Sequence, residues 1–196
     1  MSTIHRHHTP VLAEVTVEND VVTSPAARKA LAALRIGFGL TFLWAFVDKL
    51  LALGFHTGYD QDGNLDRFGP AAWVNGGSPT EGFLAFGVNP ESPFASLFNG
   101  LAGSVLIDWL FMLGLLSIGV ALTLGIGMRF AGVAGALLYL MMYAAVMVPE
   151  NNPVFDDHLL GAITVVVLAL TLAGDTLGAG KAWARTHLVR QYPFLR

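Results

Sequence analysis

The sequence predicts an all-α membrane protein: a bundle of four transmembrane helices, with short interfacial helices in one long extracytoplasmic loop. Of the 196 residues, 54% are hydrophobic and 13% are charged, whereas soluble domains carry about 25% charged residues. Four apolar stretches each approach the ~20 residues that cross a hydrocarbon core of ~30 Å. The chain has no cysteine, which excludes disulfides, thiolate metal ligands and iron–sulfur clusters.

The elements follow in order from this composition. Residues 1–28 are polar and have no apolar signal region, so we expect a flexible tail without a cleavable signal peptide. Histidines at the start of the tail lack a completing ligand set for a metal. The expected membrane domain is 29–180, followed by a basic segment at 181–196. The four expected spans are about 30–55, 105–128, 130–148 and 158–176, and the expected outer loop is 56–104.

Charge sets the expected orientation of the spans. Lys and Arg are concentrated in the tail, in the turn between the second and third spans, and in the last segment. The two other connections contain one basic residue, Arg67, among several acidic ones. The positive-inside rule then places both termini in the cytoplasm. No basic block indicates nucleic-acid binding.

The outer loop is long enough that it should contain structure of its own. Ser78 and Glu81 have the spacing of a helix capping box, and a second Ser-Pro start follows at Ser92. Both pieces are aromatic-rich, as interfacial helices are. The loop also contains a weak calcium candidate, because oxygen ligands occupy alternating positions as in a calcium-binding loop. Its glycine is misplaced for an EF-hand, and an Asp-Gly turn is the alternative. We expect no other metal site. The calcium candidates are Asp60, Asp62 and Asp66.

Several ionisable residues are predicted to meet at the outer ends of the spans. A charge inside a span is costly and usually faces the bundle interior, where it is paired or hydrated. Two tryptophans lie nearby in sequence and could form apolar pocket walls. The candidate catalytic residues are Lys49, Asp48, Asp157 and His158, and the candidate ligand pocket adds Trp44, Asp108 and Trp109.

The same residues also admit purely structural interpretations. Asp156 or Asp157 could cap the N-terminus of the fourth span. Lys49 could form a packing ion pair with Asp157 or Asp108. At the inner end, an ion pair between Asp175 and either Arg35 or Arg129 would be structural.

Three stretches carry a family resemblance: "LRIGFGLTFLWAFVDKL", "IDWLFMLGLLSIGVALTLGIGMR" and "NNPVFDDHLLGA" continuing to "LTLAGDTLGAGKAW". Together they resemble the DoxX-like membrane proteins, in the branch related to the small, DoxD-type subunit of thiosulfate:quinone oxidoreductase. The resemblance covers about residues 30–196. It implies a four-span subunit of a bacterial-type cell membrane, linked to quinone and to respiratory or sulfur-oxidising redox partners. By position it carries over Arg35, Lys49, Asp157 and His158.

These observations favour a quinone-interacting membrane subunit. A quinone would enter from lipid, and Lys49 and His158 would hydrogen-bond or protonate its carbonyl oxygens. Asp157 would orient His158, and Asp48 or Asp108 would supply protons. Two histidines on the outer side, His56 and His158, argue only weakly for haem. The alternatives are a non-catalytic accessory subunit of a larger membrane complex and a proton or small-solute conduit.

Overall fold

The computed structural model describes residues 16–59, 62–149 and 152–196, and these ranges are helical without a β-strand; one isolated antiparallel bridge joins Tyr59 and Leu65. Short 3₁₀ or π turns occur at Trp73–Asn75, Phe83–Gly87 and Pro193–Leu195. The α-helices are α1 (Glu18–Val21), α2 (Pro25–Leu51), α3 (Ala95–Asn99), α4 (Val105–Leu124), α5 (Met128–Ala145), α6 (Asp157–Leu170), α7 (Gly180–Ala184) and α8 (His187–Gln191).

Three helices in the described ranges are long and apolar enough to cross a membrane: α2 with 27 residues, α4 with 20 and α5 with 18. We therefore describe the chain as an integral membrane protein. The fourth apolar helix, α6, is shorter than the predicted span, because it has only 14 residues. Turns and bends from Thr171 to Ala179 connect it to α7.

Local backbone chemistry explains where the long helices begin and end. The Ser24 side chain accepts a hydrogen bond from the Ala27 N–H at 3.4 Å, and Pro25 occupies the first helical position, so α2 begins before the predicted 30. It ends because Ala52 adopts a left-handed φ of 53°. Gly125, with a φ of 73°, ends α4 in the way that glycine ends many helices. A turn at 125–127 therefore separates α4 from α5.

The helices pack in the order α2, α4, α5, α6, whereas α2 and α6 touch each other only slightly. Glycines permit the close contacts. A Cβ added at Gly39 on α2 would lie 2.6 Å from the Thr123 backbone nitrogen on α4. One added at Gly132 on α5 would lie 2.7 Å from the Ala169 Cβ on α6. The packing therefore leaves an open flank between the first and last of the long apolar helices.

The two ends of the described chain both lie at the α4–α5 turn. From Thr16 onward, the segment predicted as a tail packs against the helices, and Glu18 is fully buried. Its Oε2 accepts a hydrogen bond from the Thr176 hydroxyl. The backbone N–H of Arg129 donates to the carbonyl of Arg196 at 2.8 Å. The chain after α6 has therefore returned to the end of the molecule where α5 begins. The tail histidines His5, His7 and His8 lie outside the described residues.

Candidate functional site

The open flank between α2 and α6 holds a groove of about 560 Å³. Its walls are apolar apart from a few polar groups, which is the usual composition of a small-molecule site. Gly37 lies on the α2 wall, where a Cβ would meet nothing within 4 Å. The residues lining the groove come from α2 (Ala33, Leu34, Gly37, Phe38 and Thr41), α5 (Tyr139) and the start of α6 (Asp157 and His158).

The polar end of the groove is built by the first turn of α6. Asp156 is the N-cap of this helix, and its Oδ1 accepts a hydrogen bond from the Leu159 N–H at 2.8 Å. Its other oxygen, Oδ2, lies 2.6 Å from the Nδ1 of His158. The sequence analysis expects Asp157 to orient His158, but the carboxylate beside His158 is Asp156. Asp157 is exposed and lines the groove instead.

This contact assigns the tautomer of His158. An ionised carboxylate only accepts hydrogen bonds, so Nδ1 must carry the proton that Asp156 receives. In the neutral imidazole, Nε2 is then the acceptor, and in the imidazolium it becomes a second donor. Nε2 is therefore the ring nitrogen left for a ligand. One carboxylate both starts α6 and orients the imidazole beside the groove.

Tyr139 links the groove to the hydrophobic core. Its ring makes edge-to-face contacts with Phe38 at 6.2 Å and Phe42 at 5.4 Å between centroids, and it lies 6.4 Å from the His158 ring. Phe42 is 5% exposed and belongs to the core cluster. A Cβ at Gly161 would lie 2.8 Å from the Tyr139 ring, so α6 approaches α5 closely at this tyrosine. The floor of the groove is consequently fixed by packing.

Asp48 and Lys49 lie away from this groove. The buried Asp48 carboxylate accepts hydrogen bonds from the backbone N–H groups of Phe55 at 3.1 Å and His56 at 3.0 Å. It therefore fixes the chain that leaves α2. Lys49 is half-buried, and neither of the two ion pairs among the described residues involves it. Thr41, the nearest groove residue on α2, precedes Lys49 by eight positions, or ~12 Å along the helix axis.

Asp108 anchors the loop between α2 and α4. Its Oδ1 accepts hydrogen bonds from the hydroxyls of Ser78 at 2.8 Å and Thr80 at 2.6 Å. The Ser78 hydroxyl in turn accepts from the Glu81 N–H at 3.1 Å, which is the capping contact predicted from the sequence. Asp108 is 6% exposed. Its position is explained by attachment of the 78–81 turn to the start of α4.

The two candidate pocket tryptophans pair with different aromatic residues. Trp44 makes an edge-to-face contact with Phe55 at 4.8 Å, and Trp109 makes one with Trp73 at 4.7 Å. Trp44 is 47% exposed and Trp109 is 52% exposed. Neither lines the groove. Half-exposed tryptophans near the ends of apolar helices match the aromatic belt of membrane proteins.

At the opposite end of the molecule, Arg35 is completely buried. Its guanidinium donates to carbonyls at the end of α4 (Leu122 and Thr123) and after α6 (Ala173, Thr176 and Leu177). The expected ion pair with Asp175 is therefore replaced by carbonyl contacts. Asp175 pairs with Arg196 at 2.9 Å, and Arg129 donates to the carbonyl of Pro193.

Glu18 is a buried acidic residue that the sequence analysis missed. It is fully buried near this end, with Oε1 unpartnered in the described structure, and its backbone N–H donates to Asp175 at 3.0 Å. The sequence offers no periodicity or motif around it that signals burial. Its contacts join residues more than 150 positions apart, which local pattern cannot reveal.

The described residues contain no group of three His, Asp or Glu side chains placed to hold a metal ion. The calcium prediction depends on Asp60, which lies outside the described residues, so it stays a prediction. His56, the other haem candidate, is exposed and does not line the groove that holds His158.

Neither the protein-family models, the curated proteins nor the solved structures include a match to this chain.

Proposed function

We propose that this chain is a DoxX-like, quinone-interacting membrane subunit, with the groove between α2 and α6 as its ligand site. The observation that carries the proposal is this groove, which combines an apolar wall on α2 with His158 and Asp157 at one end. A volume of about 560 Å³ is in the range of small-molecule sites. A quinone ring suits it, because the ring is flat and apolar with hydrogen-bonding oxygens at its edge.

In this proposal α6 is a fourth transmembrane helix, shortened to 14 residues and continued by the turns after Thr171. The path of the chain supports a fourth crossing. After α5 ends, α6 packs along α5, and the following segment returns to the α4–α5 turn where α5 begins. The outer loop with its short helical turns then lies on the extracytoplasmic side, and both termini lie in the cytoplasm of a bacterial-type cell.

His158 is the proposed ligand-binding group. With Nδ1–H donated to Asp156, neutral His158 presents Nε2 as an acceptor for a quinol hydroxyl, and the imidazolium presents Nε2–H as a donor to a quinone carbonyl. Reduction of a quinone takes two electrons and two protons. The electrons would come from a membrane or membrane-attached redox partner, and Asp157 could relay protons at the groove mouth.

Lys49, with Asp48 and Asp108, is the second place where a quinone oxygen could bind. The carboxylates of Asp48 and Asp108 already accept hydrogen bonds from the outer loop. Their contacts favour a structural role in the loop. We therefore propose the His158 groove first and Lys49 as the outer alternative.

The experiment is quinone extraction from the purified protein and from matched glycine variants. Gly37→Phe fills the groove without a backbone clash, since its Cβ would meet nothing within 4 Å. Gly114→Phe is the control, because Gly114 is an equally unobstructed helical glycine on α4 that does not line the groove. We expect near-stoichiometric quinone in the wild type and the control, and at least a tenfold loss in Gly37→Phe, about 1.4 kcal/mol of binding free energy.

Quinone extraction from Lys49→Ala and His158→Ala variants shows where the quinone ring binds. Loss of quinone only in His158→Ala supports the groove, and loss only in Lys49→Ala moves the site to the outer end of α2. A wild-type protein without quinone that co-purifies with other subunits would instead make it an accessory subunit. Proton flux into liposomes in the absence of quinone would favour the conduit.

A further inference from the structure

The segment 177–196 forms a cap over the end of the molecule where α4 meets α5. The Ala179 N–H donates to the carbonyl of Leu124 at 2.8 Å, and Arg196 pairs with Asp175 at 2.9 Å. Within the cap, the Trp183 indole N–H donates to the Leu195 carbonyl at 2.8 Å. Ala184 and Val189 are buried beneath it. The cap is therefore folded against the membrane helices, at the level where they end.

The outer surface of the cap is positively charged. Lys181, Arg185 and Arg190 are exposed, and neither of the ion pairs within the described residues includes them. The sequence from 176 to 196 contains no Asp or Glu. Arg196 does not belong to this group of exposed cations, since it pairs with Asp175. Three cations are thus held close to one end of the helices, and none of them forms an ion pair within the described residues.

Large apolar side chains are exposed among these cations. Leu188 is 48% exposed and Phe194 is 65% exposed, although the cap buries other apolar residues. Tyr192 stacks edge-to-face on Phe194 with 6.1 Å between ring centroids. Cations interleaved with exposed aromatic and aliphatic side chains are the composition of a surface that lies at the headgroup level of a bilayer.

We propose that this cap is a docking surface for anionic phospholipid headgroups, bound by Lys181, Arg185 and Arg190. The bilayer is the favoured partner because α4 ends and α5 begins beside the cap, so lipid headgroups surround it once these helices are inserted. Juxtamembrane Lys and Arg each attract an anionic leaflet. The exposed apolar residues would be unfavourable on a surface that faced only water. The inference needs membrane insertion but does not depend on what the groove binds.

The test measures lipid retention by the full chain. The purified protein is titrated in neutral detergent with phosphatidylglycerol or with phosphatidylcholine, and bound lipid is counted by native mass spectrometry. We expect phosphatidylglycerol to bind more tightly, and we expect this preference to fall about fivefold for each cation replaced in Lys181→Gln, Arg185→Gln and Arg190→Gln. Added salt should also weaken the preference, since exposed charges are screened.

Two controls keep the outcome unambiguous. A charge-preserving triple variant (Lys181→Arg, Arg185→Lys, Arg190→Lys) should retain the preference. So should Arg67→Gln, which removes an exposed cation beside the other end of α2, away from the cap. Equal binding of the two lipids by the wild type would overturn the proposal, whether or not the Gln variants fold. So would a preference that survives in the Gln triple variant, or one that Arg67→Gln reduces as strongly as Lys181→Gln does.

Discussion

At the scale of single residues, Arg35 shows how backbone carbonyls can supply all the hydrogen bonds of a buried cation, with the buried Glu18 carboxylate as a nearby opposite charge. Its guanidinium makes five hydrogen bonds, all to backbone carbonyls near the ends of α4 and α6. Carbonyls at helix C-termini lack intrahelical donors and carry the negative end of the helix dipole. Arg35 thereby ties α2 to the end of α4 and to the turns after α6. This role is independent of the quinone proposal.

Replacement of Arg35 by Lys should destabilise the protein strongly. Lys has three donors on a single nitrogen and cannot reach carbonyls spread around a planar guanidinium. We expect a loss of at least about 3 kcal/mol, as is typical when a buried charge loses its partners. Thermal unfolding in detergent measures it. Arg28→Lys is the matched control, since Arg28 binds only the Val22 and Thr23 carbonyls and should lose no more than about 1 kcal/mol. An Arg35→Lys protein as stable as the control would contradict this role.

Asp156 and Asp157 are adjacent but should differ in their contribution to stability. Asp156→Ala removes the N-cap of α6, which costs about 1 kcal/mol in typical helices, and also removes the partner of His158. Asp157→Ala should lower the free energy of unfolding by only a few tenths of a kcal/mol, because its exposed side chain interacts mainly with the helix dipole. The same thermal unfolding assay compares the two variants. Equal losses would mean that the cap does not stabilise α6.

At the scale of elements, the two faces of α2 have opposite requirements. Gly39 faces α4, where the backbone of Thr123 leaves no room for a Cβ. Gly37, half a turn away, faces the groove, where nothing lies within 4 Å of a Cβ. A single helix therefore supplies both a tight packing surface and a ligand wall. Its small residues serve different purposes according to the direction in which each one faces.

Alanine substitutions should separate these two faces. Gly39→Ala forces α2 and α4 apart and should destabilise the protein by about 1–3 kcal/mol, the usual cost of overpacking. Gly37→Ala should leave stability unchanged or raise it by up to about 1 kcal/mol, because alanine favours helix more than glycine does. Unfolding midpoints of the two variants in the same detergent provide the measurement. A destabilised Gly37→Ala protein would contradict an open groove at this position.

At the scale of the whole molecule, the four apolar helices form an incomplete ring that is open between α2 and α6. The loop between α2 and α4 is fixed to the helix ends by Asp48 and Asp108, and the cap is fixed to the opposite end by Arg196. The open flank is consequently on the side of the helices and not at either end. A ligand that dissolves in lipid could enter there without passing through the loop or the cap.

The number of membrane crossings can be tested with introduced cysteines, since the chain has none of its own. Glu91→Cys in the outer loop should react with a membrane-impermeant maleimide in intact cells. His187→Cys in the cap should react only after permeabilisation, if α6 crosses the membrane as the fourth span. Gel-shift labelling of each variant gives the result. Labelling of both cysteines in intact cells would place the cap outside and contradict the four-span topology.

The sequence by itself determined the class of the protein, because apolar composition and segment length are summed along the chain and need no contacts. Its apolar stretches coincide with α2, α4 and α5, although α1 and the start of α2 lie in the predicted tail. It also predicted the capping contact of Ser78 with Glu81, since that contact depends on neighbours in sequence. It also selected His158 and Asp157, which both line the groove.

Only the tertiary structure decided which of these residues meet. Whether His158 bonds to Asp156 or Asp157 depends on side-chain direction at the start of α6, and whether Lys49 reaches His158 depends on how α2 and α6 cross. Helix rotation and tilt follow from glycine contacts such as Gly39 with Thr123 and Gly132 with Ala169, made between residues far apart in sequence. The groove exists because those contacts close three of the interfaces between neighbouring helices and leave the fourth open.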